Sequence, residues 1–265
     1  INEYYMIDPY KGNGSYFNAD GSVNINGGPK DGMIRTERDL EWVKAMIDAG
    51  YMFAGNKKVA PNQLWYGDFI YSDLNGDGDY GNSDDRDFTG YSAQPIYNVG
   101  INLGFSWKGI DLNMVWAGAM GNRLIWKTGT YNNTSIKHGR GLMKHVVADH
   151  YFYDPANPED SRTNINGKYP RLTYEYDASN LLESEFYEYK GDYLKLRNLQ
   201  IGYTLPERIT GKIHVNRLRI YVACDNIVYW SCRQGFDPRF SFSGTTNSAV
   251  NSPVRTVSGG INLTF

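Results

Sequence analysis

The chain has 265 residues, enough for one large β-domain, and carries 27 lysines and arginines against 29 aspartates and glutamates, a net charge of −2. This balance gives no basic footprint for nucleic acid, and no segment approaches the run of roughly 18 apolar residues that a membrane helix needs. The 22 Tyr, 11 Phe and 6 Trp are unusually many; such residues form the girdles of membrane β-barrels and also line carbohydrate-binding surfaces.

The first predicted helix covers about residues 37–49. Thr36 is a suitable N-cap, and Asp39 stands in the capping-box position. An apolar stripe follows at helical spacing, and Gly50 suits the position just after the helix. Residues 1–35 are predicted to be loop, so we expect the helix to pack on a loop instead of recognising a partner.

An acidic segment at residues 73–84 matches the spacing of a calcium-binding loop. The candidate ligands, which alternate so that each faces one ion, are Asp73, Asn75, Asp77, Asp79 and Asp84. The last position is Asp where the pattern has Glu, and the flanking helices of an EF-hand are not predicted. A calcium ion that stiffens an exposed loop and an acidic turn without an ion are both open.

Residues 96–116 give the clearest strand pattern in the chain. Every second side chain is apolar, and those between are mostly Asn, Gly or Ser, which predicts strands with one apolar face. Lys108 and Gly109 form a two-residue turn between the two strands. A slip of one residue would break the match of apolar residues across the hairpin. The predicted apolar pairs are Trp107 with Ile110, Phe105 with Leu112, Leu103 with Met114, and Ile101 with Trp116.

The length and faces of this hairpin fit two kinds of protein. Strands of roughly 9–11 residues cross a bilayer obliquely, and apolar-out, polar-in alternation is typical of a transmembrane β-barrel. A soluble β-sandwich also has one apolar face. The hairpin alone therefore leaves both open.

A long irregular segment, residues 127–190, follows the hairpin, with a short strand candidate at 146–153. Loops of this length on a β-scaffold are usually functional. Its aromatic and amide side chains are therefore candidates for substrate contact. The residues proposed are Tyr131, Asn132, Tyr151 and Tyr153.

A second clear strand ends at Pro206. Its apolar residues occupy even-numbered positions up to Leu196 and odd-numbered positions from Leu199 onward. This change of phase predicts a β-bulge at Arg197 and Asn198.

The return strand, residues 217–222, alternates aliphatic side chains with Arg217, Arg219 and Tyr221. Arginines facing a soluble core would be costly, whereas a water-filled lumen accepts them. This strand therefore favours the barrel, and Arg217 and Arg219 join the candidate substrate-binding residues.

The final strand covers residues 256–265 and ends on Phe265. We expect the 217–222 strand to be one of its two neighbours. If the chain is the C-terminal part of a larger barrel, the other edge should find no partner within these residues. A small complete barrel would instead pair that edge with a strand near the start of the chain.

Four stretches resemble the C-terminal part of SusC/RagA-type TonB-dependent outer-membrane transporters. The second stretch is the most specific, and together the four span about residues 66–265. The stretches are residues 67–78, 191–206, 218–238 and 261–265. Asp225 stands where the family often has another polar residue before Asn, a minor departure.

The resemblance implies an all-β fold, an antiparallel up-and-down transmembrane β-barrel of about 22 strands with a plug and long extracellular loops. Residues 1–265 would form the C-terminal part of that barrel, with the plug and the N-terminal strands outside this chain. The location implied is the outer membrane of a Gram-negative bacterium, with outer-membrane lipid around the barrel. Phe265 resembles the signal that the outer-membrane assembly machinery recognises.

The resemblance also implies a function. It is active import of oligomeric nutrients, glycans or peptides, together with a SusD-like surface lipoprotein and energised through TonB by regions outside this chain. No organic cofactor and no nucleic-acid partner are expected, and calcium is the one candidate ion.

Two alternatives stay open. One is a passive porin-type barrel, and the other is a soluble calcium-dependent carbohydrate-binding or adhesin module. An enzyme is not predicted, because the sequence contains neither a nucleophile elbow nor a zinc-protease motif.

Overall fold

The structure is a computed structural model that describes residues 3–125, 142, 144–174, 180, 182–232 and 254–265. The described residues are rich in antiparallel strands and contain few helices, which confirms the β-rich, antiparallel character expected from the sequence. In chain order the strands are β1 (Tyr5–Ile7), β2 (Met52–Phe53), β3 (Asp79–Tyr80), β4 (Arg86–Phe88), β5 (Tyr97–Trp107), β6 (Ile110–Met120), β7 (Arg123–Ile125), β8 (Glu188–Lys190), β9 (Tyr193–Thr204), β10 (Arg217–Ser231) and β11 (Thr256–Thr264). The helices are α1 (Glu37–Asp48), α2 (Lys144–Ala148) and α3 (Glu207–Thr210), with 3₁₀ turns at Glu185–Tyr187 and Gly211–Ile213.

The described chain forms two compact units. The sheet unit contains the described residues of 91–124 and 189–265, and the loop unit contains those of 3–90 and 125–188. Within the described ranges, none of the helices has the length and apolar character that crossing a membrane requires.

The sheet unit is built on a five-stranded sheet whose order in space, β5-β6-β9-β10-β11, follows the order in the chain. Every neighbouring pair is antiparallel, so the sheet is a meander. The predicted hairpin register is confirmed throughout, beginning with Trp107 opposite Ile110. Lys108 and Gly109 both have positive φ, at 48° and 86°, as a type I′ turn requires.

The bulge predicted in β9 is confirmed at Arg197. Val115 of β6 lies opposite Asn198, and the next residue, Trp116, lies opposite Leu196. Arg197 is therefore an extra residue relative to β6, and the apolar side chains before and after it share one face of the sheet.

The two edges of this sheet, within the described residues, are β5 and β11. β11 pairs with β10 from Thr264 opposite Arg217 to Thr256 opposite Asp225, as expected for its first neighbour. Its other edge joins no described strand near the start of the chain. The described sheet thus does not close in the way that a small complete barrel of these strands requires.

The loop unit packs around α1, which begins where the sequence predicts. The Thr36 hydroxyl accepts the Asp39 N–H at 3.2 Å, and an Asp39 carboxylate oxygen accepts the Thr36 N–H at 2.8 Å, so both halves of the capping box form. Trp42 on the inward face is fully buried, and its indole N–H donates to the Asn24 carbonyl at 2.8 Å. Gly28 lies against this ring, because a Cβ there would come within 2.9 Å of it.

The strand predicted at residues 146–153 is not formed. Lys144–Ala148 is the short helix α2, and beyond it His150 and Phe152 make only isolated bridges. Val146 is buried whereas Val147 is 47% exposed. Within the described residues this segment meets its neighbours only at single bridges, so it lacks the continuous hydrogen-bonded ladder that a strand requires.

A largely buried ion pair joins two segments of the loop unit that lie far apart in the chain. The Asp68 side chain has no exposed surface, and its two oxygens accept from Arg171 Nε at 2.6 Å and Nη2 at 2.8 Å. Asn180 Nδ2 and the Trp65 N–H also donate to it, at 2.9 and 2.8 Å. Burial raises the pKa of Asp68, and the guanidinium and the N–H donors oppose that shift. The charge of Asp68 therefore depends on these partners.

We expect Asp68→Ala to lower the free energy of unfolding by about 3–5 kcal/mol, because it leaves the largely buried guanidinium of Arg171 without its counter-ion. Asp31→Ala is the matched control, since Asp31 also pairs with an arginine, Arg35, at 2.6 Å but is half exposed. Its expected cost is below about 1 kcal/mol. Proteolysis of the full-length protein across a urea series measures both losses, and equal losses would contradict the role assigned to burial.

Candidate functional site

The polar face of the sheet gathers the arginines that the sequence singled out. At the end near the Lys108–Gly109 turn, side chains from β6, β9, β10 and β11 line one recess, here called the polar recess. The residues that line it are Asp111, Asn113, Gln200, Arg217, Arg219, Asn262 and Thr264. The structure therefore brings Arg217 and Arg219 together on one face, as predicted.

Arg219 of β10 reaches across β9 to Asp111 of β6. The Nε–Oδ1 distance is 2.8 Å and the Nη2–Oδ2 distance is 2.5 Å, which makes a bidentate ion pair. Nη2 also donates to Gln200 Oε1 at 3.2 Å, and the guanidinium lies 5.1 Å from the centre of the Tyr221 ring. One side chain thus joins three neighbouring strands and is held along the face.

Gly202 allows this crossing. It lies in β9 opposite Asp111 on one side and Tyr221 on the other. A Cβ at Gly202 would come within 2.5 Å of both Arg219 Nη2 and Asp111 Oδ1. Gly260 of β11 likewise leaves room for the Tyr221 side chain, because a Cβ at Gly260 would lie 2.5 Å from the Tyr221 hydroxyl. Both long side chains therefore lie along the sheet instead of projecting from it.

Arg217 has a different environment from Arg219. It is exposed and lies opposite Thr264, whereas the Arg219 side chain is only 13% exposed and its charge is matched by Asp111. Of the two arginines proposed to bind substrate, Arg217 offers its guanidinium to the solvent. Arg219 organises the face.

A second polar cluster, which the sequence analysis missed, lies where β9 and β10 change register. Asn226 has φ of 55°, and its Oδ1 accepts from Lys195 Nζ at 2.6 Å. Asn198 Nδ2 donates to Asp225 Oδ1 at 2.8 Å. Lys195 is only 6% exposed. The predicted bulge could have indicated this cluster from the sequence, because polar residues flank the bulge on both strands.

The aromatic and amide residues proposed from the long segment differ in position. Tyr131 and Asn132 lie outside the described residues, and their role stays a prediction. Tyr151 is 1% exposed, its hydroxyl donates to the Arg35 carbonyl at 2.8 Å, and burial raises its pKa. This corrects the prediction of a ligand-facing ring at Tyr151, because the ring belongs to the core. Tyr153 is partly buried against that core, and its role stays a prediction.

The acidic loop at residues 73–84 is organised around Asp85, which the calcium pattern did not include. Asp85 is fully buried, whereas Asp84, the predicted last ligand, is exposed. The carboxylate of Asp85 accepts the N–H groups of Leu74 at 2.7 Å, Asn75 at 3.4 Å, Gly81 at 2.8 Å and Asn82 at 3.0 Å.

The other predicted calcium ligands also accept hydrogen bonds from the backbone. Asp73 takes the N–H groups of Gly76 and Gly78, at 2.7 and 2.9 Å. Hydrogen bonds, chiefly from the Asp79 N–H, lower the pKa of Asp77. Among the described residues no group of three or more His, Cys, Asp or Glu side chains is arranged to hold a metal. In this arrangement the backbone N–H groups occupy carboxylate oxygens that a calcium ion would need, and the calcium site stays a prediction.

No protein-family model matches the chain. Among curated proteins, TonB-dependent receptor P3 of Formosa agariphila is 26% identical over 206 residues, covering 74% of this chain and 19% of that protein. TonB-dependent receptor P26 of the same organism is 25% identical, with the same coverage of both chains. The chain thus spans about a fifth of the length of the curated relatives it matches.

Solved structures give a consistent result. The RagAB peptide importer in the closed-closed state matches with a TM-score of 0.53 and 23% identity, over 75% of this chain and 21% of that chain. Its open-open state matches with a TM-score of 0.52 and the same identity. The structures support the fold, and the curated relatives confirm the resemblance to TonB-dependent receptors.

We expect Gly202→Ala to destabilise the sheet by about 1–3 kcal/mol, because its methyl group collides with the Arg219–Asp111 pair. Gly100→Ala is the matched control, since Gly100 lies on the same polar face with nothing within 4 Å of the added atom. Thermal unfolding of the full-length protein measures both. The cost of Gly202→Ala should shrink in an Arg219→Ala background, and strict additivity of the two changes would contradict the collision.

We expect Asp85→Asn to destabilise the loop by on the order of 2–4 kcal/mol, because it replaces an acceptor of four N–H groups with an amide. Asp84→Asn, one residue away and exposed, should change stability by less than about 0.5 kcal/mol. Protease cleavage of the loop, measured with calcium and with a chelator, tests the calcium prediction separately. Calcium-dependent protection that Asp73→Asn abolishes would support it, and cleavage that is independent of calcium would contradict it.

Proposed function

We propose that this chain, a relative of TonB-dependent receptors, forms part of the barrel wall of an outer-membrane transporter that imports oligomeric nutrients. The observation that carries the proposal is the five-stranded meander with one continuous apolar face. Its strands β5 and β6 are 11 residues long, β9 has 12 and β10 has 15, which is enough to cross a bilayer obliquely.

The exposure of the side chains on the apolar face supports a lipid environment for this face. Large aliphatic and aromatic side chains on this face are about half exposed within the described residues, for example Leu103 at 50%, Phe105 at 60% and Ile261 at 63%. A soluble protein rarely leaves an apolar surface of this extent uncovered. The opposite face, which carries the polar recess, then lines the lumen, where water and substrate meet Arg217.

The connections between the strands support an orientation in the membrane. The β5–β6 and β9–β10 connections, Lys108–Gly109 and residues 205–216, are short and lie at the same end of the sheet. The chain between β6 and β9 and between β10 and β11 is longer. Outer-membrane barrels have short periplasmic turns and long extracellular loops. We therefore assign the end at the Lys108–Gly109 turn to the periplasm.

The partners follow from the relatives and belong to the proposal. The similar structures are of a two-component importer whose substrate is peptide. We accordingly propose a SusD-like surface lipoprotein as the partner, with glycans or peptides as the substrate class. Energising through TonB would fall to parts of the transporter outside this chain, since the chain spans about a fifth of its relatives.

The alternatives have less support. A passive porin made of these strands needs β11 to pair with a strand near the start of the chain, and the described sheet does not show that pairing. A soluble module would have to cover or withdraw the half-exposed apolar side chains of the sheet, such as Phe105 and Ile261.

A pair of opposite-face variants in the full-length protein tests the proposal. Leu103→Arg puts a charge on the lipid face at a cost of about 2–4 kcal/mol and should abolish assembly in the outer membrane. Asn102→Arg, the adjacent residue on the lumen face, should assemble normally. The measurements are heat-modifiable migration of outer-membrane protein and growth on single glycans and peptides.

The growth assay separates function from assembly. Strains with Leu103→Arg, or without TonB, should lose growth on the same polymer, and the Asn102→Arg strain should keep at least part of it. Unimpaired growth of the Leu103→Arg strain on every polymer, or assembly equal to that of Asn102→Arg, would refute the proposal.

A further inference from the structure

We propose that the Lys108–Gly109 turn binds the phosphate of an anionic phospholipid, with Trp107 as the membrane anchor beside it. The proposal rests on the proposed function, because it requires the apolar face of the sheet to meet lipid. It goes further in naming the headgroup chemistry and the residue that recognises it.

The position of Lys108 relative to Trp107 is the first observation. The ammonium group lies 4.7 Å from the centre of the indole, in a cation–π contact. Trp107 is 57% exposed on the apolar face, in one cross-strand row with Ile110 and Tyr203. Trp and Tyr concentrate at the boundary between hydrocarbon and headgroups. A lysine just beyond such a row is at the depth of the lipid phosphates.

The backbone of the turn is the second observation. Lys108 has φ of 48°, in the left-handed region that non-glycine residues seldom adopt. Type I′ turns favour Asn or Gly at this position, since both tolerate that conformation better than Lys. Turn formation alone therefore does not account for a lysine at this position. A role for its positive charge does account for it.

The neighbouring connection is the third observation. The Thr204 N–H donates to the Gly109 carbonyl at 2.7 Å, so the turn lies directly beside the start of residues 205–216. That connection adds exposed Arg208 and Lys212 against one acid, Glu207. The two connections thus present three cationic side chains and one acidic side chain, a balance that favours anionic over zwitterionic headgroups.

Native mass spectrometry of the full-length protein in detergent tests the proposal, with phosphatidylglycerol and phosphatidylcholine titrated separately. The wild-type protein should prefer phosphatidylglycerol. Lys108→Asn keeps a residue suited to the turn but removes the charge, and should weaken phosphatidylglycerol binding about fivefold. Its binding of phosphatidylcholine should not change.

Three controls complete the design. Lys108→Arg should retain the preference, and Lys57→Asn, at an exposed lysine of the loop unit, should leave it unchanged. Inorganic phosphate should not displace the lipid, because the Trp107 side of the site contacts the hydrocarbon. Displacement by phosphate would assign the site to the free anion and overturn the lipid assignment.

The outcomes distinguish this inference from the proposed function. Equal binding of the two lipids, or an unchanged preference in Lys108→Asn, overturns the headgroup site while the barrel stands. A protein that stays folded without detergent and binds neither lipid overturns the barrel itself.

Discussion

The antiparallel register of the five-stranded sheet is the constraint on which the sheet unit depends. Because successive side chains of a strand point to opposite faces, a slip of one residue would exchange the apolar face with the polar recess. The bulge at Arg197 is part of this register. Leu196 and Leu199 are three positions apart, which would put them on opposite faces of a regular strand, and the extra residue lets both share the apolar face. Arg219 and Asp111 then meet on the other face.

The polar face shows how a weak strand position supports a strong interaction. Glycine inside a strand lowers its stability, because it has no side chain to pack and loses more chain entropy on folding. At Gly202 that loss is offset by the bidentate pair that its missing side chain admits. Since Arg219 is neutralised and held flat, the exposed charge of the recess is concentrated at Arg217.

The sequence predicts what is decided locally and misses what is decided by distant contacts. The capping box at Thr36, the turn at Lys108 and the bulge at Arg197 all follow from patterns within a few residues. The Arg219–Asp111 pair joins residues 108 positions apart, and the Asp68–Arg171 pair joins residues 103 apart. No periodicity signals such pairs, because each depends on which strands or loops become neighbours. The roles of Tyr131 and Asn132 stay predictions for a different reason, since both lie outside the described residues.

Carboxylates in the loop unit satisfy backbone N–H groups. An irregular chain has many backbone N–H groups without strand or helix partners, and each buried one needs an acceptor. Asp39, Asp68 and Asp85 each accept backbone N–H groups as well as ordering the chain around them. In the acidic loop the same requirement is met by carboxylates that close tight glycine turns, such as Asp73, and that recur at short intervals like the ligands of a calcium site. Burial decides which of two adjacent carboxylates accepts the backbone N–H groups of the loop. It selects Asp85 over Asp84, a distinction that residue spacing alone does not contain.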